Sequence, residues 1–130
     1  MVHSLAYVSR SLISAHSVDI LDIARSSMRN NRDLALTGAL YFDDHQFFQV
    51  LEGGEAAVRR MVERIAADRR HTEVVVLREG PVAARRFENW SMKFVDGVWV
   101  PDSRHVFDYD ALRAATGDAL DARLSDLARY

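Results

Sequence analysis

Hydrophobic and polar positions alternate in blocks along this chain, and the blocks predict its elements. Leu5–Ser9 is apolar with period-two alternation and reads as a short strand. Ser17 can cap a helix running from Val18 to about Asn30, with Asp19 in its first turn and Val18, Leu21, Ala24 and Met28 on an apolar face. Residues 36–42 and 46–52 read as two strands joined by the turn-rich Asp43–Asp44–His45, a hairpin. Gly53–Gly54 breaks the second strand. A helix follows, with Val58, Met61, Val62 and Ile65 at i, i+3, i+4 and i+7, ending near Asp68–Arg69–Arg70–His71. Val74–Leu77 has the composition of a fully buried strand, Gly80–Pro81 opens a loop, and Trp90–Val95 alternates as a last strand. Residues 108–115 read as a short helix, Gly117 interrupts, and Leu120, Leu124 and Leu127 stripe a final one.

The order β-α-β-β-α-β-β predicts an α+β fold: a ferredoxin-like βαββαββ, five-stranded mixed sheet with two helices on one face, plus a C-terminal helical extension. With Phe47, Gln49 and Leu51 toward the helices, Phe48 and Val50 face the other side. That second face is also apolar and needs a cover, either the tail helices or a partner copy.

Length and composition describe one ordinary globular domain. Of 130 residues 48% are hydrophobic and 28% charged, and the formal net charge is −2, so no global field favours nucleic acid or an anionic membrane. Cysteine is absent, which excludes disulfides, thiolate metal sites and cysteine nucleophiles. No apolar run approaches transmembrane length, and a cytoplasmic protein without a leader is expected.

Three polar residues stand in apolar surroundings: Tyr7, Asn31 and Gln49. A buried amide costs free energy unless its donors and acceptors are matched, so each needs a partner in the protein or in a ligand. Trp90 and Met92 lie two apart on the last strand and share a face. Phenol, amides, indole and thioether suit recognition of a flat heteroaromatic edge. They suit hydrolysis poorly, because no base–nucleophile pair is among them. Taken singly, such residues are more often self-satisfied core than ligand contacts. Asp43–Asp44–His45 reads as a solvated hairpin tip, Arg85–Arg86 as a solvated pair, and Gly53–Gly54 as a strand-to-helix turn.

Together, Tyr7–Val8–Ser9–Arg10, Asn31–Arg32–Asp33–Leu34–Ala35–Leu36–Thr37–Gly38, Phe48–Gln49–Val50–Leu51–Glu52–Gly53, Asp68–Arg69–Arg70–His71 and Arg86–Phe87–Glu88–Asn89–Trp90–Ser91–Met92 resemble the BLUF domain. This is the flavin-binding blue-light sensor family, and the likeness covers about residues 3–97. Arg69 and Glu88 stand where many relatives carry proline, both in connections.

The resemblance implies FAD (FMN or riboflavin in some preparations) between the two helices. It implies Gln49 bridging Tyr7 and the flavin N5/O4 edge, and Asn31 on the carbonyl and N3 side with Asn30 beside the ring. Arg70 and His71 would lie near the ribityl phosphate, and Trp90 or Met92 near Gln49. Light-driven electron and proton transfer from Tyr7 would rearrange the Gln49 hydrogen bonds and red-shift the flavin, a switch rather than an enzyme. The expected organisation is a stand-alone light-sensing domain over 1–97 and a helical extension over 98–130, too short for a catalytic output domain. Signals would pass through the last strand and tail to an unknown partner protein, in a homodimer or higher oligomer. Two other classes remain: a light-independent ferredoxin-like interaction module, and a small hydrolase of acylphosphatase type, for which no anion loop is evident.

Overall fold

The computed structural model describes residues 2–13, 19–42, 45–87, 90–94 and 109–127. Five strands, β1 (Val2–Ser11), β2 (Thr37–Phe42), β3 (Gln46–Gly53), β4 (His71–Val82) and β5 (Trp90–Phe94), form one sheet in the order β4-β1-β3-β2-β5. β1 pairs antiparallel with β3 and β4, and β2 antiparallel with β3; β5 joins β2 in parallel. Helices α1 (Asp19–Asp33) and α2 (Glu55–Ala67) border a common groove on one face. Helices α3 (Tyr109–Thr116) and α4 (Asp118–Leu127) follow the last strand.

Alternation along β3 sorts the two sides as expected. Leu51 packs with Leu5, Tyr7, Val58 and Met61 beneath α2. Phe48 and Val50 pack on the opposite face with Ala6, Ala39, Tyr41 and Phe87, closed by Leu112, Ala115 and Leu120. The tail therefore covers the second face, with Gly117 (φ +68°) making the turn between its helices. Leu124 and Leu127 lie outside the described side chains, as do Val18, Leu21, Ala24 and Met28 of the first apolar face.

Several expectations are corrected. Val74–Leu77 is not a fully buried strand: β4 is a sheet edge, and Val75 and Val76 are 53% and 46% exposed. Apolar, β-branched composition favours a strand without saying whether it stands at the centre or the edge. Gly80–Pro81 does not open a loop but continues β4, opposite Ser4 and His3. An edge strand tolerates proline because half its amides need no sheet partner. α1 also runs past Asn30, placing Asn31 inside the helix. Among the described residues no helix is long and apolar enough to cross a membrane.

Candidate functional site

Between α1 and α2 a groove, open at its mouth, runs over the sheet. Its floor is Tyr7, Leu40, Phe47 and Gln49. Tyr7 is level with Gln49, Gln49 with Leu40, and Leu40 with the backbone of Met92, so one lateral row crosses four strands. The backbone of Trp90 stands one step along, opposite Gly38. The side chains of Trp90 and Met92 lie outside the described residues.

Tyr7 and Gln49 meet directly: the buried phenol donates its O–H to Gln49 Oε1. Burial pushes the Tyr7 pKa far above the usual phenol value, and the nearby Asp68 carboxylate adds to the shift. Tyr7 is therefore a neutral donor at physiological pH. With Oε1 committed, what Gln49 offers elsewhere is its Nε2–H donors.

Asn31 is placed by the end of α1. Leu36 N–H donates to Asn31 O at 2.7 Å and Ala35 N–H to Arg32 O at 3.1 Å, with Ala35 at φ +55°. These are the paired bonds of a Schellman ending, here with alanine at the left-handed position that glycine usually fills. The Asn31 side chain is 1% exposed and lines the groove. Neither its Oδ1 nor its Nδ2 has a hydrogen-bond partner among the described residues. A buried amide with both ends unsatisfied is costly. It fits a ligand edge presenting an N–H beside a carbonyl. Asn30 also lines the groove, one residue earlier on the helix.

The C-terminal end of α2 is polar. Arg70 holds both carboxylate oxygens of Asp68, its Nε approaching them at 2.9 and 3.1 Å. This guanidinium keeps the Asp68 carboxyl below the usual carboxylate range, against a smaller opposing effect of burial. His71 Nε2 donates to Ile65 O at 2.5 Å, and Ser9 Oγ meets Nδ1 at 2.7 Å. A carbonyl only accepts, so Nε2 carries the proton and both ring nitrogens are engaged within the chain. The His71 ring stands edge-on to Tyr7 at 6.3 Å and to Phe47 at 5.9 Å.

The structure thus brings Tyr7, Asn30, Asn31, Gln49, Arg70 and His71 to one groove. Sequence reasoning missed Arg64 and Asp68 as lining residues. Their signal was present: Met61, Arg64, Ile65 and Asp68 share the i, i+3, i+4, i+7 stripe, so two polar residues interrupt an apolar face.

The model of the family of sensors of blue light using FAD, BLUF, matches residues 2–93. The chain belongs to the BLUF family. BLUF domains bind flavin and sense blue light, and the donor set of the groove fits that group through the open amide of Asn31. Among solved structures, the dark state of BlrB, a BLUF protein, is 33% identical, with a TM-score of 0.70 over 97% of this chain and 84% of that one. Klebsiella pneumoniae BlrP1 with FMN and cyclic diGMP is 36% identical, with a TM-score of 0.65 over 74% of this chain and 26% of that one. The beta subunit of the Euglena longa photoactivated adenylate cyclase is 34% identical over 97 residues, 73% of this BLUF chain and 11% of the relative. The chain thus spans about a tenth of the length of such curated relatives.

Proposed function

We propose that this BLUF domain binds FAD non-covalently and acts as a blue-light switch, not as an enzyme. The single observation that carries the binding reading is the unsatisfied Asn31 amide facing the groove. Asn31 would hold the flavin's carbonyl and N3 side, with Asn30 beside the ring and Gln49 Nε2 toward the N5/O4 edge. Arg64 would meet the phosphate, with Arg70, paired to Asp68, and His71 lining the ribityl-phosphate side of the groove. FMN and riboflavin share the ring and would also enter. When bound, the flavin supplies blue-light absorption and an electron acceptor.

Tyr7 would supply an electron and its phenolic proton, the proton leaving along the hydrogen bond to Gln49. Gln49 would then rotate or change tautomer, and the electron and proton would both return to Tyr7, leaving the flavin chemically unchanged with a stronger bond toward its O4 and a red-shifted spectrum. Two hydrogen-bond arrangements of one amide are a bistable element that packing elsewhere can read. The neutral dark-state Tyr7 supports this direction of transfer.

We further propose that residues 1–97, a ferredoxin-like βαββαβ unit with β5 added, are the sensing part and 98–130 the output part. The route runs from Gln49 across the lateral row to β5, then to the tail helices and a partner protein, within a homodimer or higher oligomer.

The deciding measurement is an absorption spectrum of purified protein before and after blue light, followed in the dark. A flavin spectrum that shifts red and returns supports the switch. Tyr7→Phe and Gln49→Leu should abolish the shift while flavin stays bound. Bound flavin with no shift defeats the switch. A protein that takes up no flavin, even on reconstitution with FAD, leaves the light-independent interaction module standing.

A further inference from the structure

A second polar cluster ties four separate segments together, and none of its residues lines the groove. Glu52, three residues past Gln49 on β3, is wholly buried (0% exposed). Its carboxylate accepts the backbone N–H of Arg86 at 3.0 Å on each oxygen and that of Phe87 at 2.9 Å on Oε1. Arg85 reaches across the same seam. Its Nη1 donates to Thr37 Oγ1 and Glu52 O, both at 2.8 Å, and its Nη2 to Ala35 O at 2.9 Å. The reading of Arg85–Arg86 as a merely solvated pair is corrected here: the Arg85 guanidinium bonds three acceptors on two neighbouring segments.

This clasp joins the left-handed end of α1 at Ala35, the start of β2, the end of β3 and the segment leading to β5. Phe87 adds an apolar anchor, being buried with Ala39, Tyr41 and Phe48. Gly53 lets the seam close, because a Cβ there would stand 2.6 Å from Leu36 Cδ2. A buried carboxylate that accepts main-chain amides fixes a backbone segment tightly, since any shift strips charge-assisted bonds inside the protein.

β5 needs such a fixture. It has five residues and stands at the sheet edge beside β2, so a single short ladder holds its register. Side-chain parity does not prevent a slip of two residues, which keeps every residue on its face. Such a slip would bring Trp90 to the level of Leu40, where Met92 stands now.

We infer that Glu52 and Arg85 are positioning residues that lock the register of β5 against β2, and so decide which β5 residue stands level with Gln49. This rests on the proposed output route through β5 for its purpose, but not for its test. Only three residue steps lead from the clasped Phe87 to Trp90, a reach of about 10 Å. With Arg86 and Phe87 pinned, a two-residue slip of roughly 6.6 Å would have to be taken up within those three steps.

The absence of native cysteine makes crosslinking a clean test. Leu40→Cys/Met92→Cys and Leu40→Cys/Trp90→Cys proteins would be oxidised in the dark and the disulfide fraction counted by mass spectrometry. Level partners on adjacent strands lie about 4.8 Å apart, within the ~4.4–6.8 Å Cα separation of disulfides. Partners offset by two residues lie about 8 Å apart, beyond it. The intact clasp should give the 40–92 bond in large excess over 40–90. Adding Glu52→Gln, whose amide turns N–H toward N–H, or Arg85→Met should raise the 40–90 fraction several-fold at temperatures well below melting. An unchanged 40–92 to 40–90 ratio in folded variants would overturn the lock. If Glu52→Gln does not fold, Arg85→Met, which alters an exposed residue, carries the test alone. The crosslink ratio needs no flavin, so failure of the photoreceptor reading and failure of the lock remain distinguishable.

Discussion

Asn31 shows most clearly how one residue trades stability for recognition. Its amide is buried with neither end hydrogen-bonded among the described residues, and the Schellman ending of α1 pins its backbone in place. Leaving a buried polar group unsatisfied costs about 1–3 kcal/mol. Asn31→Leu should therefore raise the melting temperature of flavin-free protein, by about 3–6 °C for each kcal/mol recovered. The same variant should lose most of the stabilisation that added FAD brings to the parent. Thermal melts with and without FAD check both signs, and a lowered apo melting temperature would refute the account. The position of Asn31 was legible as a polar residue among apolar ones. Its setting inside α1 was not, because the helix ends at an alanine rather than at a glycine that would have marked the spot.

Among the elements, α2 does the most varied work. Its apolar stripe packs on Leu5, Tyr7 and Leu51, while Arg64 and Asp68 carry the same stripe into the groove. Asp68 and Arg70 neutralise each other, so Arg64 supplies positive charge at the end where a phosphate would lie. Arg64→Gln should weaken FMN binding by about tenfold, the loss of one charge-assisted bond. Riboflavin, which lacks the phosphate, should bind within about twofold of its parent value. Fluorescence-quenching titrations compare the two, and equal losses would show that Arg64 meets the ring instead. β4 teaches a different lesson. Its four consecutive apolar residues suggest the centre of a sheet, yet two of them face solvent, because topology placed the strand at the edge.

For the whole molecule, the consequential feature is a sheet that is apolar on both faces. α1 and α2 border the flavin groove on one, and Leu112, Ala115 and Leu120 of the tail close the other over Ala39, Tyr41, Phe48 and Val50. Arg78 helps to dock that tail by donating to Ala114 O at 2.9 Å. Truncation after residue 97 uncovers this face, and an exposed contiguous apolar patch promotes association. The truncated protein should self-associate in sedimentation velocity at concentrations where the full chain gives a single species. A well-behaved truncated protein with unchanged light-dependent partner binding would remove the tail from the proposed output route.

Periodicity alone determined the order of elements, the two-sided character of β3 and the presence of Tyr7, Asn31 and Gln49 among apolar neighbours. Such properties are local: side-chain alternation and helical spacing follow from backbone geometry within a few residues. The resemblance to BLUF domains added the chemistry those three residues would perform. Tertiary structure alone decided what depends on pairing between distant segments. It placed β4 at the edge, drew Arg64 and Asp68 into the groove, and bound the Glu52 carboxylate to amides of residues 86 and 87. A glutamate next to a glycine looks like surface in the sequence. Only the fold shows that water is excluded there and that main-chain amides have taken its place.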